Sequence, residues 1–409
     1  MPIYLVATLD TKGLEAEWMR ERLLAQGHQV TLVDVGSSGE PQVAPDVDRS
    51  IVFAAAGTSW AAIQSGQDRG EAVAAATRGV AELIRQHADQ GLVEGVLSIG
   101  GSAGTSIGTA AMRALPIGVP KVMVSTMASG NVRPYVADKD LCMINSVVDI
   151  AGINRVSRRV LSQAADAISG MVSGRNAAGS NSDDGITEKP LVAASMFGVT
   201  TPCVQAARKV LEQAGYEVLV FHATGTGGQA MESLIREGLI AGVLDITTTE
   251  LADELVGGVL SAGPSRLTAA AETGVPQVIS VGALDMVNFG APESVPSELQ
   301  GRTFYQHNPV VTLMRTSVEE CRKLGEEIGR KAELATGPTK ILFPSLGISA
   351  IDAEGQAFED VEARSALLEG LRATSDKGCL VELDAHINDE VFAEAAAHRL
   401  LELMEQAGD

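Results

Sequence analysis

Aromatic residues are scarce in this sequence, and their scarcity limits the fold class. Phe, Trp and Tyr together make up 3% of the 409 residues, whereas hydrophobic residues make up 45%. The cores must therefore be filled with Val, Ile, Leu and Ala, a composition typical of parallel sheets covered by helices on both faces. Because a chain of this length exceeds one ordinary hydrophobic core, we expect two domains.

Basic residues are also in short supply. The sequence has 31 Lys and Arg against 52 Asp and Glu, which gives a formal net charge of −21. Nucleic acids are bound largely through Lys and Arg, so a surface of this charge repels them, as it repels an anionic membrane. We therefore expect neither as a partner. A small anionic ligand is not excluded, because a few backbone N–H groups outweigh a distant field locally.

Cysteine pairs and long apolar runs are missing as well. The four cysteines have no paired spacing, which argues against disulfides and zinc sites. The apolar run at the start of the sequence is too short for a signal peptide and lacks the preceding positive charge. No apolar stretch reaches membrane-spanning length. These absences predict a cytoplasmic protein that has no membrane partner.

One segment of low complexity divides the chain. Residues 175–185 are small and polar, so we predict a linker over 175–188 between domains at 1–174 and 189–409. The two domains repeat each other in order: GVLSI at 95–99 matches GVLDI at 242–246, and GVPKV at 118–122 matches GVPQV at 274–278.

The repeated unit is strand, turn, helix, glycine and strand, which predicts a parallel sheet with right-handed crossovers. The expected fold class is α/β, with two doubly wound, Rossmann-like parallel-sheet domains related by internal duplication. Ligands of such sheets bind at the carboxyl ends of the strands, so we expect the ligand in a cleft between the domains.

The strongest motif is a glycine-rich strand-to-helix turn, LSIGGSAGTS at residues 97–106. Glycines allow the backbone to approach an anion, and the start of a helix supplies unpaired N–H groups. It is not a Walker loop, because both the spacing and the lysine are missing. The alternative is a turn that needs glycine only for packing. The residues predicted to contact phosphate here are Gly100, Gly101, Ser102, Gly104, Thr105 and Ser106.

A second glycine turn lies at residues 221–230 (FHATGTGGQA), where Gly225, Gly227 and Ala230 have dinucleotide-binding spacing. Asp245, on the next predicted strand, is placed to bind a ribose. This pattern indicates NAD, although another anion-binding turn explains it equally well. The predicted cofactor contacts are Thr224, Gly225, Thr226, Gly227 and Gly228.

The first predicted strand ends in the sequence TLDTK, residues 8–12. Asp10 or Thr11 can simply cap the next helix. In the functional interpretation Asp10 lies near a metal, Lys12 binds a phosphate, and Thr8 and Thr11 contact the cofactor. Ser125, at the end of another strand, is a further candidate contact.

An insertion at 288–315 concentrates polar and basic residues outside the regular strands. We predict that it closes over the ligand, since strand-end extensions lie on the ligand side of such sheets. The alternative is a subunit interface. The candidate ligand contacts are Arg302, His307, Asn308 and Arg315.

Several motifs resemble the tomato mosaic virus resistance protein family and its bacterial relatives: ATLDTK at 7–12, IGGSAGTS at 99–106, LPIGVPK at 115–121 and SVVDIAGIN at 146–154. The resemblance extends over the whole chain. It implies a two-domain protein that binds ATP with Mg²⁺ and is often a homodimer, and it favours ATP over NAD.

These observations together predict an ATP- and Mg²⁺-dependent enzyme that acts on a small polar or acidic molecule by phosphoryl or adenylyl transfer. Lys12 and Arg302 would stabilise charge, Asp10 or Asp245 would orient the metal or accept a proton, and His307 would carry protons. A non-catalytic nucleotide-binding module and an NAD-dependent oxidoreductase are the alternatives.

Overall fold

The computed structural model describes residues 1–180, 189–376 and 378–408. Contacts within the chain divide it into two compact units, Met1–Ile186 and Thr187–Asp409. Among the described residues, no helix is both long enough and apolar enough to cross a membrane.

The first unit alternates strands and helices as the sequence predicts. Its five strands form one parallel sheet in the order β2-β1-β3-β4-β5, and this order places the switch point between β1 and β3. The elements are β1 (Pro2–Ala7), α1 (Leu9–Ala25), β2 (Gln29–Asp34), α2 (Arg49–Ala55), α3 (Trp60–Gly66), α4 (Arg69–Asp89), β3 (Gly95–Gly100), α5 (Ser102–Arg113), β4 (Lys121–Ser125), α6 (Arg133–Val136), β5 (Cys142–Asn145) and α7 (Arg155–Ser180).

Helices cover both faces of this sheet, because alternate strand residues point to opposite sides. Helices α1 and α7 bury Leu5 and Ile99 on one face, and α2, α4 and α5 bury Val6 and Val96 on the other. Because both faces are covered, the central strands are largely apolar, and β3 is buried at every position.

The second unit contains a parallel sheet of six strands in the order β14-β13-β9-β8-β6-β7. When the strands of this sheet are numbered 1 to 6 along the chain, their order is 2-1-3-4-5-6. The first sheet has the same order without the sixth strand. The elements are β6 (Leu191–Met196), α8 (Thr201–Gln213), β7 (Glu217–His222), α9 (Thr226–Arg236), β8 (Ile240–Thr247), α10 (Glu250–Val256), α11 (Ala269–Thr273), β9 (Gln277–Gly282), β10 (Met286–Phe289), β11 (Phe304–Asn308), β12 (Val311–Arg315), α12 (Val318–Glu333), β13 (Thr339–Pro344), α13 (Val361–Thr374), β14 (Leu380–Leu383) and α14 (Glu390–Gly408). The α/β class and the two parallel-sheet, Rossmann-like domains are confirmed.

Two local expectations are corrected. The insertion at 288–315 is not an irregular loop: β10, β11 and β12 form an antiparallel sheet in the order β10-β12-β11. The first residues of the predicted linker are helical, because α7 continues to Ser180 through the helix-favouring Ala177 and Ala178. The rest of the predicted linker, 181–188, lies outside the described residues.

Candidate functional site

A pocket of about 660 Å³ opens at the carboxyl edge of the first sheet. It is lined by the turns that follow β1 and β3, so it occupies the switch point of that sheet. Its volume is within the usual range for small-molecule sites, about 300–1,000 Å³. The predicted site residues that it brings together are Thr8, Asp10, Thr11, Lys12, Gly101, Ser102 and Gly104.

The turn after β3 gives this pocket a set of backbone donors. Gly101 is the N-cap of α5 and has no capping side chain, and the first helical hydrogen bond runs from Thr105 N–H to the Gly101 carbonyl (2.8 Å). Among the described residues, no acceptor is bonded to the N–H groups of Ser102, Ala103 and Gly104. Free N–H groups at a helix start attract anions.

The glycines of this turn have different roles. A Cβ on Gly100 would lie 2.6 Å from Gly104 Cα, so Gly100 is needed for the close packing of β3 against α5. A Cβ on Gly104 would lie 3.3 Å from the Ile99 carbonyl oxygen, a tight but adjustable contact. Gly101 has room for a side chain. The packing explanation therefore applies to Gly100, and Gly104 lines the pocket.

Three hydroxyl-bearing candidates near this turn have internal partners. Thr105 and Ser125 are fully buried, and their hydroxyl oxygens are 2.6 Å apart. The Thr105 hydroxyl also donates to the Gly101 carbonyl, while Ser125 Oγ accepts from Met127 N–H. These internal bonds stabilise the turn and argue against the prediction that Thr105 and Ser125 bind a cofactor. Ser106 donates to the Ser102 carbonyl and lines an adjoining recess.

The turn after β1 contributes a cation. Lys12 interrupts the regular geometry of α1, with φ −128° and ψ 17°, and its side chain lines the pocket. Thr8 and Thr11 share a hydroxyl contact of 3.0 Å. Within the part of the chain that the structure describes, the Lys12 ammonium has neither an ion-pair nor a hydrogen-bond partner.

Asp10 carries an unpaired carboxylate oxygen in the same pocket. Its Oδ2 accepts from the backbone N–H (3.0 Å) and the hydroxyl (2.9 Å) of Ser38, whereas its buried Oδ1 has no partner among the described residues. Gly36 packs against this carboxylate, where a Cβ would approach Asp10 Cγ to 2.9 Å. A buried oxygen without a partner requires a counterpart, and water, a proton or a cation can supply it.

Sequence reasoning missed the third wall of the pocket. Trp60, Ile63, Gln64 and Gln67, on α3 and just after it, line the pocket together with Arg69, the first residue of α4. The signal was available: the first half carries a long insertion directly after β2, at the edge where ligands of such sheets bind.

The N–H groups of the second glycine turn bind a carboxylate of the protein itself, that of Glu250. The N–H groups of Gly225 and Gly228 donate to Glu250 Oε1 at 2.7 and 3.1 Å. A Cβ on Gly228 would lie 2.3 Å from Glu250 Oε2, so the glycine is needed for this approach. Burial raises the pKa of Glu250, and Arg266 partly offsets that effect. The position that a cofactor phosphate requires is therefore occupied, which argues against the predicted cofactor contacts at Thr224, Gly225, Thr226, Gly227 and Gly228.

Asp245 does not present its carboxylate to a ligand. It is buried at 1% exposure, and Arg266 binds it through two nitrogens at 2.5 and 2.6 Å. The Ser195 hydroxyl donates to the same carboxylate. A ribose or a metal ion at this position would have to displace Arg266, which argues against the catalytic and ribose-binding roles predicted for Asp245.

The candidates of the 288–315 insertion have mostly structural partners. Arg302 forms a two-pronged ion pair with Glu320 (2.7 and 3.1 Å), and Arg315 is buried and donates to the Phe358 carbonyl. Asn308 Oδ1 accepts from Val310 N–H in the β11–β12 turn. These internal partners argue against the ligand-binding roles predicted for Arg302, Asn308 and Arg315, which stay untested predictions.

His307 lies on the exposed strand β11, beside the exposed Phe304 and Tyr305. Its role as a proton carrier stays a prediction. A subunit contact through the two aromatic residues likewise stays a prediction.

No group of three or more His, Cys, Asp or Glu side chains within the described ranges is arranged to hold a metal ion. Asp10 alone would leave the remaining coordination positions to ligand oxygens and water. That arrangement suits Mg²⁺, which is commonly held by one or two carboxylates together with phosphate oxygens.

Comparisons with known proteins identify relatives along the full chain. Models of the N-terminal and C-terminal domains of an uncharacterised protein family, UPF0261, match residues 1–177 and 189–404. A UPF0261 protein of Clostridium tetani is 49% identical over 406 residues, covering 99% of both chains. A UPF0261 protein of Rhizobium meliloti is 51% identical over 397 residues, covering 96% of this chain and 97% of the relative.

A plant relative and a solved structure complete the comparison. The ToMV susceptible protein tm-1(GCR26) of Solanum lycopersicum is 41% identical over 425 residues, which cover 99% of this chain and 56% of the plant protein. A UDP-N-acetylglucosamine 2-epimerase structure from Rickettsia bellii aligns over 99% of this chain and 97% of that chain, at 9% identity. Its TM-score of 0.22 is too low to support an argument. The resemblance in the motifs is thus confirmed, and the chain belongs to the UPF0261 family.

Proposed function

We propose that this protein binds ATP with Mg²⁺ in the pocket of the first unit. The observation that carries the proposal is the convergence of unpaired charge and unpaired donors on one cavity. Lys12 and Arg69 line it without anionic partners among the described residues, and the free N–H groups at the start of α5 line it as well. In a chain with a net charge of −21, such a site favours a compact polyanion.

Each group has a role in holding a triphosphate. The N–H groups of Ser102 to Gly104 would donate to phosphate oxygens, and the positive end of the α5 dipole would add to their attraction. Lys12 and Arg69 would neutralise further phosphate charge. The Thr8 and Thr11 hydroxyls, which also line the pocket, would supply neutral donors.

Magnesium fits the remaining unpaired group. Asp10 Oδ1 is a buried carboxylate oxygen of the pocket that lacks a partner among the described residues, and Ser38 fixes the orientation of this carboxylate through Oδ2. Asp10 would therefore hold Mg²⁺, which when bound neutralises charge on the phosphate oxygens.

The hydrogen bonds of the predicted catalytic residues in the second unit favour a binding module over an enzyme. Asp245 and Arg302, two of the three reacting groups predicted in the second unit, are engaged in internal hydrogen bonds, and only His307 stays available there. Incubation of the protein with ATP–Mg²⁺ and small acids or sugars, followed by mass spectrometry, tests this choice. A phosphorylated or adenylylated product would restore the enzymatic alternative.

We predict that Gly104→Val weakens ATP–Mg²⁺ binding by at least about tenfold, as measured by titration calorimetry. A valine there would stand where the backbone approaches a phosphate, and losing one charge-assisted hydrogen bond costs about 1.5–3 kcal/mol. The matched control is Gly170→Val in α7, where a Cβ meets nothing within 4 Å.

Two outcomes of these titrations would contradict the proposal. A parent protein that binds no ATP in the presence of Mg²⁺ would refute the proposal, and equal binding by Gly104→Val and the parent would move the site away from α5. Gly227→Val is unsuitable as a comparison, because its Cβ would lie 1.9 Å from the His222 carbonyl oxygen and disturb the fold.

We also predict that Lys12→Ala weakens ATP–Mg²⁺ binding by about tenfold to thirtyfold, since it removes one charge-assisted contact to phosphate. The loss should decrease as salt concentration rises, because the interaction is electrostatic. Lys209→Ala, an exposed lysine on α8, is the control and should leave the affinity unchanged. Equal affinities of Lys12→Ala and the parent in calorimetry would contradict the role of Lys12.

A further inference from the structure

The pocket is chemically divided. Its charged lining residues are Asp10, Lys12, Asp68, Arg69 and Asp149, whereas α3 contributes only uncharged side chains. Phosphates alone would gain nothing from the apolar surfaces of Trp60 and Ile63 in this wall. A ligand that fills the pocket must therefore combine a polyanionic end with an uncharged end that is partly apolar.

One ring in this wall is held firmly. Trp60 stacks on Phe53, with ring centroids 5.5 Å apart and an interplanar angle of 22°. The Arg49 guanidinium lies 4.9 Å from the centroid of the Trp60 ring, and Asp34 at the end of β2 fixes that guanidinium with a 2.6 Å ion pair. The indole is thus held in place by Arg49, which is in turn fixed by Asp34 of the sheet. A binding group held in this way can discriminate between ligands.

Two amides complete the wall. Gln64 and Gln67 are exposed to the pocket, and within the described residues neither side chain has a hydrogen-bond partner. Each amide offers donors and an acceptor, so it can pair with a ligand edge that carries both. The buried Ile63, between them and Trp60, adds an apolar surface.

We infer that α3, with Gln67 just after it, binds the base of the nucleotide and determines which base is accepted. This assignment rests on the proposed nucleotide site. The combination of a fixed indole edge, an apolar contact and two unpaired amides suits a flat heterocycle with alternating donors and acceptors. The phosphates would lie at the start of α5, which lines the same pocket.

The test compares ATP with inorganic tripolyphosphate, which has the phosphates and lacks the base. Both are titrated with Mg²⁺ by calorimetry against the parent, Gln64→Ala and Ser65→Ala. Ser65 is the matched control, because it is exposed on α3 and does not line the pocket. We expect Gln64→Ala to weaken ATP binding about fivefold, as one lost hydrogen bond implies, and to leave tripolyphosphate binding unchanged.

A second readout locates the ligand. The chain has two tryptophans, so Trp18→Phe leaves Trp60 as the only indole. We expect ATP to change the emission of Trp60 and tripolyphosphate to leave it unchanged. A triple variant, Gln64→Ala with Gln67→Asn and Ile63→Ala, should bind ATP no better than tripolyphosphate.

The possible failures are distinguishable. If the parent binds neither ligand, the phosphate site is wrong and the base assignment fails with it. If the parent binds both with equal affinity, or if Gln64→Ala and the triple variant retain the parent's preference for ATP, the base assignment alone is overturned.

Discussion

Replacing Arg266 by Met is expected to lower the free energy of unfolding by about 3–5 kcal/mol, as measured by chemical denaturation at neutral pH. Arg266 is fully buried and holds three buried carboxylates: Asp245, Glu250 at 2.6 Å and Glu232 at 3.3 Å. Without the guanidinium, these groups must stay charged without a partner or take up protons. Burial already raises the pKa of Glu250, and Arg266 offsets part of that rise, so the variant should lose further stability as pH increases.

Two controls separate this explanation from simple loss of packing. Arg236 pairs with Glu232 and Glu272 at the surface, where its side chain is 38% exposed, so Arg236→Met should cost less than about 1 kcal/mol. Adding Asp245→Asn and Glu250→Gln to Arg266→Met should restore most of the stability, because it neutralises the two carboxylates that pair with Arg266 alone among the described residues, while Glu232 keeps its ion pair with Arg236. A triple variant as unstable as Arg266→Met would show that packing dominates.

The buried ionic cluster also shows where sequence reasoning reaches its limit. The spacing of Gly225, Gly227 and Ala230 correctly predicted a tight strand-to-helix turn with inward-pointing N–H groups. It could not reveal the anion at that turn. Glu250 and Arg266 follow along the chain, and only the folded sheet brings them beneath the turn. The local sequence pattern thus predicts the turn, whereas tertiary packing determines which group accepts hydrogen bonds from its N–H groups.

The fold was more predictable than the site for a related reason. Alternation of apolar strands with amphipathic helices is a local property, and it is sufficient to specify both parallel sheets and their crossovers. The antiparallel sheet of β10, β11 and β12 escaped prediction because β11 is exposed along its length and lacks an apolar alternation. The pocket wall at α3 was not predicted because this short helix has a single buried residue, Ile63, and therefore shows no apolar periodicity.

Stability of the second unit is expected to fall as pH rises from about 4 to 7. Burial raises the pKa of Asp253 from 3.8 to about 7, although Asn288 and backbone N–H groups stabilise its charged form. Burial, together with the nearby Asp352, likewise raises the pKa of Asp285 to about 7. A carboxyl whose folded-state pKa exceeds its unfolded value binds more protons when folded. Its contribution to stability is therefore complete below pH 4 and is lost as pH rises through 7.

The variant Asp253→Asn isolates one of these carboxyls. A shift of about three pKa units corresponds to roughly 4 kcal/mol, so the free energy of unfolding of the parent should drop by up to that amount between pH 4 and 8 on account of Asp253 alone. Asp253→Asn cannot ionise at this position, and Asn preserves the acceptor oxygen that Leu260 N–H and Asn288 N–H bind. Denaturation curves measured across this pH range should therefore be flatter for Asp253→Asn than for the parent. Glu254→Gln, an exposed neighbour on α10, should follow the parent curve, and parallel curves for Asp253→Asn and the parent would mean that Asp253 does not titrate in this range.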